Sequence, residues 1–247
     1  GDTNGTVTVT NNINITGTSA AITTAVGNVD TFSGTPTAAL GDAHTLAELK
    51  AINNALTGQL TLTDYTVALS GSSADVKAAL DGTFAAAYTG NVTLGDAHTL
   101  AQLKAINNGT TGTITLNDVT VALVGSAADI KAALAGTFAA GYTGNVTIND
   151  ANGTGIAATD ITTIAGDTTG TVTISNNINI TGTSAAITTA VGNVDTFSGT
   201  PTAALGDAHT LAQLKAINNA VDGTLTLNDY TVTLSGSSAD VKAALDG

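Results

Sequence analysis

Aliphatic and polar residues alternate along this chain in short bursts, each closed by an aspartate or asparagine. Nine bursts end at Asn11, Asp42, Asp64, Asp96, Asp118, Asp150, Asn176, Asp207 and Asp229. Two residues before each stands Val, Ile or Leu, four before it an aliphatic residue or alanine, and six before it Gly or Pro. Thr, Asn, Gln or Ala fill the places between. A period of two with one apolar face predicts nine strands of about five residues. Elsewhere the period lengthens. In Thr45-Leu-Ala-Glu-Leu-Lys-Ala-Ile52 the residues Leu46, Leu49 and Ile52 share one helical face, and Thr45 with Glu48 fits a capping box, as do Thr99 with Gln102 and Thr210 with Gln213. A second helix type opens Ser72-Ser-Ala-Asp75-Val-Lys, after an extra strand predicted at Thr66-Val-Ala-Leu69.

The segments joining successive strands hold a helix and are too long for hairpins, so the strands are expected to be parallel. The fold class that follows is a repeat solenoid of the α/β kind: parallel strands stacked coil on coil, helices on the other side, and the Asp/Asn positions forming a column along one edge. A β-solenoid with short helices is the alternative. Self-similarity supports the stacking. Residues 1–82 recur at 166–247 with only nine differences, at 4, 9, 10, 48, 56, 57, 59, 63 and 68, and 41–94 resembles 95–148. Residues 1–247 read as a single array built on a 165-residue super-repeat. Both ends fall inside the repeat, so the chain is expected to be a fragment of a longer protein.

Composition narrows the function. The chain has 6 Lys, no Arg, and 19 Asp plus Glu, for a net charge of −13. Such a surface repels a phosphate backbone, so no nucleic-acid partner is expected. Without cysteine there are no disulfides or thiolate metal sites. No apolar run is long enough to span a bilayer, and residues 1–10 lack the features of a signal peptide.

The Thr-Gly-Thr-Val-Thr strands, the helix start Ala-Thr-Asp160-Ile-Thr-Thr-Ile164 and the Gly-Ser-Ser-Ala-Asp-Val-Lys helices resemble those of giant repetitive cell-surface proteins of marine cyanobacteria and related bacteria. The resemblance spans essentially the whole chain and lies in repeat texture. It implies secretion, display on the bacterial cell surface, and a structural or adhesive role in a stalk, surface layer or filament. The partners implied are neighbouring copies or repeats end to end, the cell envelope or a polysaccharide. The Asn or Asp after each strand is also similar to leucine-rich repeats, but their leucine pattern is absent.

Candidate chemistry comes in columns. Asp42, Asp64, Asp96, Asp118, Asp150, Asp207 and Asp229 are the candidate metal ligands, with Ca²⁺ the ion their oxygens suit; no other cofactor is expected. Asn149-Asp-Ala-Asn-Gly-Thr-Gly has the oxygen content of a calcium loop without the EF-hand spacing. Thr8, Thr61, Thr93, Thr115, Thr147, Thr173 and Thr226 would form a threonine face able to bind ice, a polysaccharide or another regular surface. His44, His98 and His209 each follow an Asp in Gly-Asp-Ala-His-Thr, and read as turn residues at a helix entrance rather than as acid–base dyads. Six lysines fit a solvated helix face. Phe84 with Tyr88, and Phe138 with Tyr142, read as core pairs four apart on a helix. No nucleophile elbow is present, and no enzymatic activity is expected.

Overall fold

Helix starts and strand partners advance along this chain at different rates, and that difference shapes the fold. The computed structural model describes residues 4–246. The chain is α/β with parallel sheets, and it divides into two compact units, Gly1–Val119 with Ala135–Ala140 and Thr120–Leu134 with Gly141–Gly247.

The first unit runs β1 (Thr8–Val9), β2 (Asn14–Gly17), α1 (Ser19–Gly27), β3 (Thr31–Phe32), β4 (Thr37–Leu40), α2 (Leu46–Ala55), β5 (Leu60–Thr61), β6 (Leu69–Gly71), α3 (Ser73–Leu80), β7 (Val92–Leu94), α4 (Leu100–Gly109) and β8 (Ile114–Thr115). Its parallel sheets are β1-β3, β2-β4-β5 and β6-β7-β8. The second unit runs β9 (Leu123–Gly125), α5 (Ala127–Leu134), β10 (Val146–Ile148), β11 (Gly155–Ala157), α6 (Ala158–Asp167), β12 (Val172–Ile174), β13 (Asn179–Gly182), α7 (Ser184–Gly192), β14 (Thr196–Phe197), β15 (Thr202–Leu205), α8 (Leu211–Ala220), β16 (Leu225–Thr226) and α9 (Ser238–Leu245). Its sheets are β9-β10-β12-β14 and β11-β13-β15-β16, again parallel.

Local chemistry starts the helices where the sequence places them. All three capping boxes form, with the Thr45, Thr99 and Thr210 side chains accepting from the backbone of Glu48, Gln102 and Gln213. Ser72 caps α3 and Ser237 caps α9 in the same way. Each such cap contributes about 1 kcal/mol. The strands are shorter than the alternation suggests, from two to four residues. The extra strand after Asp64 lies at Leu69–Gly71 rather than at 66–69.

The nine strands of the alternating pattern do not form one column. Helix starts Leu46, Ser73 and Leu100 are spaced more widely than strand partners such as Ala38 with Leu60 or Val92 with Ile114. Each strand row therefore falls further behind its helix with every pass. β2 leads straight into α1, whereas β5 stands well before α3, and β6 opens a new row in the space between. The alternating long and short spacings of Asp and Asn record this jump from row to row.

Apolar residues of both element types share each interior. In the first unit Ile22, Leu49, Ile52, Leu60, Leu69, Val76, Val92, Ile106 and Ile114 belong to one buried cluster. In the second, Ile130, Ile148, Ile161, Ile174, Ile187 and Ile217 are wholly buried. Burying one such side chain stabilises by about 1.5–3 kcal/mol. Tyr88 and Tyr142 are core residues as expected, but they are not helical. Phe84 and Phe138 form single parallel bridges to Leu60 and Ile114. Thr-Gly-Asn follows each tyrosine and breaks any helical period there. Among the described residues no helix is long and apolar enough to cross a membrane.

Candidate functional site

The aspartates divide into two sets with different tasks. The side chains of Asp42, Asp96 and Asp150 accept the backbone N–H of Ser19, Ser73 and Ala127 at 2.7 Å, and Asp207 accepts that of Ser184 at 2.6 Å. Each donor is the first residue of a helix, α1, α3, α5 or α7, 23 positions earlier in the chain. A helix leaves its first amides without intrahelical partners and carries partial positive charge there, so a carboxylate from the next pass completes it. At Asp96 the Ser73 hydroxyl, and after it the Ser73 amide, holds the carboxyl below its ordinary value.

Asp64 and Asp229 instead serve their own turns. Asp64 accepts the Thr66 amide at 2.7 Å and hydroxyl at 2.6 Å, and Asp229 accepts the same pair from Thr231. Those hydroxyls, with the amides second, lower both carboxyls. Asp118 stands close enough to His98 to favour the ring's charged form against its burial. No three His, Asp or Glu side chains converge on one point among the described residues.

The oxygen-rich loop between β10 and β11 is likewise engaged with protein. Asn152 Oδ1 accepts the Asn177 amide at 2.9 Å, and Asn176 donates to the carbonyls of Asn149 and Asp150. Gly153 turns the chain at φ +80, a conformation that side chains rarely adopt.

The threonine face is split into five rows. Thr8 lies beside Thr31; Thr61 beside Ala39; Thr93 and Thr115 beside each other; Thr147 and Thr173 beside each other and then Thr196; Thr226 beside Ala204. The row of Thr147, Thr173 and Thr196 begins at Val124, an exposed valine.

All three histidines are buried. His44 Nε2 lies 3.0 Å from the Tyr88 hydroxyl, which donates its single proton to the Val67 carbonyl at 2.7 Å. Nε2 must then carry a proton and donate to the tyrosine oxygen, which leaves Nδ1 a bare buried acceptor. Burial pushes the ring's pKa down, and the carboxylates of Asp64, Glu48 and Asp42 oppose that only in part. The histidine thus reads as a buried link between passes.

Lys50, Lys131 and Lys215 are partly exposed, as a solvated helix face requires, and they also bridge helices. Lys50 reaches Asp75, Lys131 reaches Asp160 at 2.5 Å, and Lys215 reaches Asp240 at 2.6 Å. No model of a known protein family matches the chain, and no curated protein does.

Alternation alone did not reveal the other polar residues that tie passes together. Asp30 and Asp195 accept the Val7 and Val172 amides at 2.7 Å, and Asn12, Asn91, Asn145 and Asn177 accept amides of the following pass. The signal that could have found Asp30 and Asp195 is their recurrence inside Asn-Val-Asp-Thr-Phe.

Proposed function

We propose that this chain is a structural and adhesive module of a secreted bacterial cell-surface protein, an α/β solenoid that acts as a spacer and carries out no catalysis. One observation supports this above the others: several of the repeated polar side chains are engaged with the backbone of an adjacent pass. Asp42, Asp96, Asp150 and Asp207 each complete a helix of the pass before, and Asn91 and Asn145 accept the amides of Thr113 and Thr171, each just ahead of a strand. A residue type copied into every pass suits an array of nearest-neighbour interfaces, whereas a catalytic centre needs different groups meeting at one point. The acidic surface then keeps such an array soluble.

Small-angle X-ray scattering of chains carrying one, two and three copies of the 165-residue period tests the reading. The maximum dimension should rise linearly with copy number. Chains that grow equally in all directions would exclude a spacer.

A further inference from the structure

We propose that His44 is an acid-sensitive latch: when its ring takes up a second proton, the segment at 81–91 is released while the helices beside it stay folded. The observation that carries this is how little else seats that segment. It contains no helix, and its one bridge joins Phe84 to Leu60. Of its residues only Tyr88 and Gly90 are buried. Tyr88, 2% exposed, is thus the one large side chain the segment buries, and its ring lies against those of Phe84 and His44 with centroids 5.9 and 5.8 Å away.

The Tyr88 hydroxyl is fixed from two sides. It donates to the Val67 carbonyl at 2.7 Å and accepts from His44 Nε2 at 3.0 Å. Burial keeps this hydroxyl protonated, and the Asp64 carboxylate acts in the same direction. The His44 ring is 3% exposed, and its Nδ1 has no hydrogen-bond partner among the described residues. The chain uses such a tyrosine seat twice: Tyr142 donates to the Val121 carbonyl, and from 135 to 144 only Tyr142 and Gly144 are buried.

The titratable groups that act on the ring are Asp42 from its own turn, Glu48 from α2, Asp64 from the turn after β5 and Tyr88 from the segment itself. None of the three carboxylates bonds Nδ1. Asp42 accepts the Ser19 amide, Glu48 the Thr45 amide and hydroxyl, and Asp64 the Thr66 amide and hydroxyl. A proton added at Nδ1 therefore makes a buried cation whose new N–H meets no acceptor in place, which is a costly state. Turning the ring out toward water and those carboxylates relieves it. The same motion withdraws Nε2 from Tyr88 and frees the segment.

Linkage gives the direction. In the open segment the ring is solvated and takes its proton near the ordinary 6.5, whereas burial, the largest influence on the closed ring, pushes the value down. Acid thus favours opening, by up to about tenfold for each pH unit below 6.5, until the closed ring is itself protonated. Glu48, held below 4.5 chiefly by the Thr45 amide, stays ionised over this range, so α2 keeps its capping box while the segment opens.

The test is hydrogen exchange, read by mass spectrometry on the full 247-residue chain at pH 7.5 and 5.5 and corrected for the intrinsic rate at each pH. Protection across 83–91 should fall by between about threefold and tenfold on acidification, with no change in α2. In His44→Gln, whose amide can still donate to the Tyr88 oxygen but takes up no proton, the fall should vanish; in His98→Gln it should persist. An imidazole NMR titration of the unaltered chain gives a second reading that needs neither variant to fold: the fall should track one ring that titrates below 6.5. No fall, an equal fall in α2, a fall retained in His44→Gln, or a ring that titrates with no change at 83–91 would each overturn the proposal. The spacer reading would stand in all four cases, since the scattering series tests it separately.

Discussion

The two copies of one sequence, residues 1–82 and 166–247, have the same local structure and different burial. Caps form alike in both, at Thr18 and Thr183, Thr45 and Thr210, and Ser72 and Ser237. Yet Ile13 is 41% exposed and its counterpart Ile178 0%, while Leu80 is 3% exposed and its counterpart Leu245 61%. None of these residues differs between the copies. Helix starts and turns are settled within a few residues, by side chains that reach their own backbone. Burial is supplied by whichever pass lies alongside.

The largest test of that difference sets Ile178→Ala against Ile13→Ala. At a wholly buried site the substitution removes transfer free energy and leaves a cavity, so Ile178→Ala should cost about 2–5 kcal/mol. At Ile13, 41% exposed, the same substitution should cost less than about 1 kcal/mol. Urea unfolding followed by circular dichroism measures both. Equal losses would mean that burial in the two copies is the same in solution.

This contrast also explains which features could be read from the sequence. Parallel pairing, the capping boxes at Thr45, Thr99 and Thr210, and the inward-facing Leu49 and Ile52 follow from short-range spacing and were legible. The arrangement of strands in rows was not, because alternation marks which face of a strand is apolar and is silent on which strand lies beside it. Thr8 and Thr61 occupy equivalent places in the pattern, yet one pairs with Thr31 and the other with Ala39. The task of Asp42 was hidden for a similar reason, since its partner Ser19 lies 23 residues away and only the drift of strand rows against helices brings them together. Phe84 and Tyr88 misled by their helical spacing; the Thr-Gly-Asn after them was the better guide.

Cross-pass caps should respond alike in both copies. Asp42→Ala and Asp207→Ala each leave a helix-start amide without its acceptor, at Ser19 and Ser184. Each should cost about 1 kcal/mol. Loss of exchange protection in α1 and α7, measured by mass spectrometry, locates the effect. A loss at only one of the two helices would show that the copies differ in local structure as well as in burial.

A weaker effect should appear with pH. Burial lowers the pKa of His44 and of His98 below the ordinary 6.5, so the unfolded chain takes up these protons first. The stability that the neutral rings contribute is fully present above pH 6.5 and is lost as pH falls from there toward their depressed folded values. Glu48, whose carboxyl is held low chiefly by the Thr45 amide, adds its own loss only at more acid pH. Urea midpoints at pH 8, 6.5 and 5.5 should therefore be flat and then fall, and a His44→Gln/His98→Gln chain should lose most of the fall. An unchanged slope in that variant would assign the acid sensitivity to the carboxylates.

The smallest expected effect serves as the control for the comparison. Lys50 and Lys215 bridge to Asp75 and Asp240 with nearly equal exposure in the two copies, so water screens the two ion pairs alike. Half-exposed pairs gain little, because water screens the charges and two flexible side chains must be ordered. Lys50→Ala and Lys215→Ala should then shift the urea midpoint only slightly and by the same amount, and 0.5 M salt should shrink both shifts together. A clear difference between them would mean that the two copies diverge even where their exposure matches, and burial by an adjacent pass would no longer account for the contrast between Ile13 and Ile178.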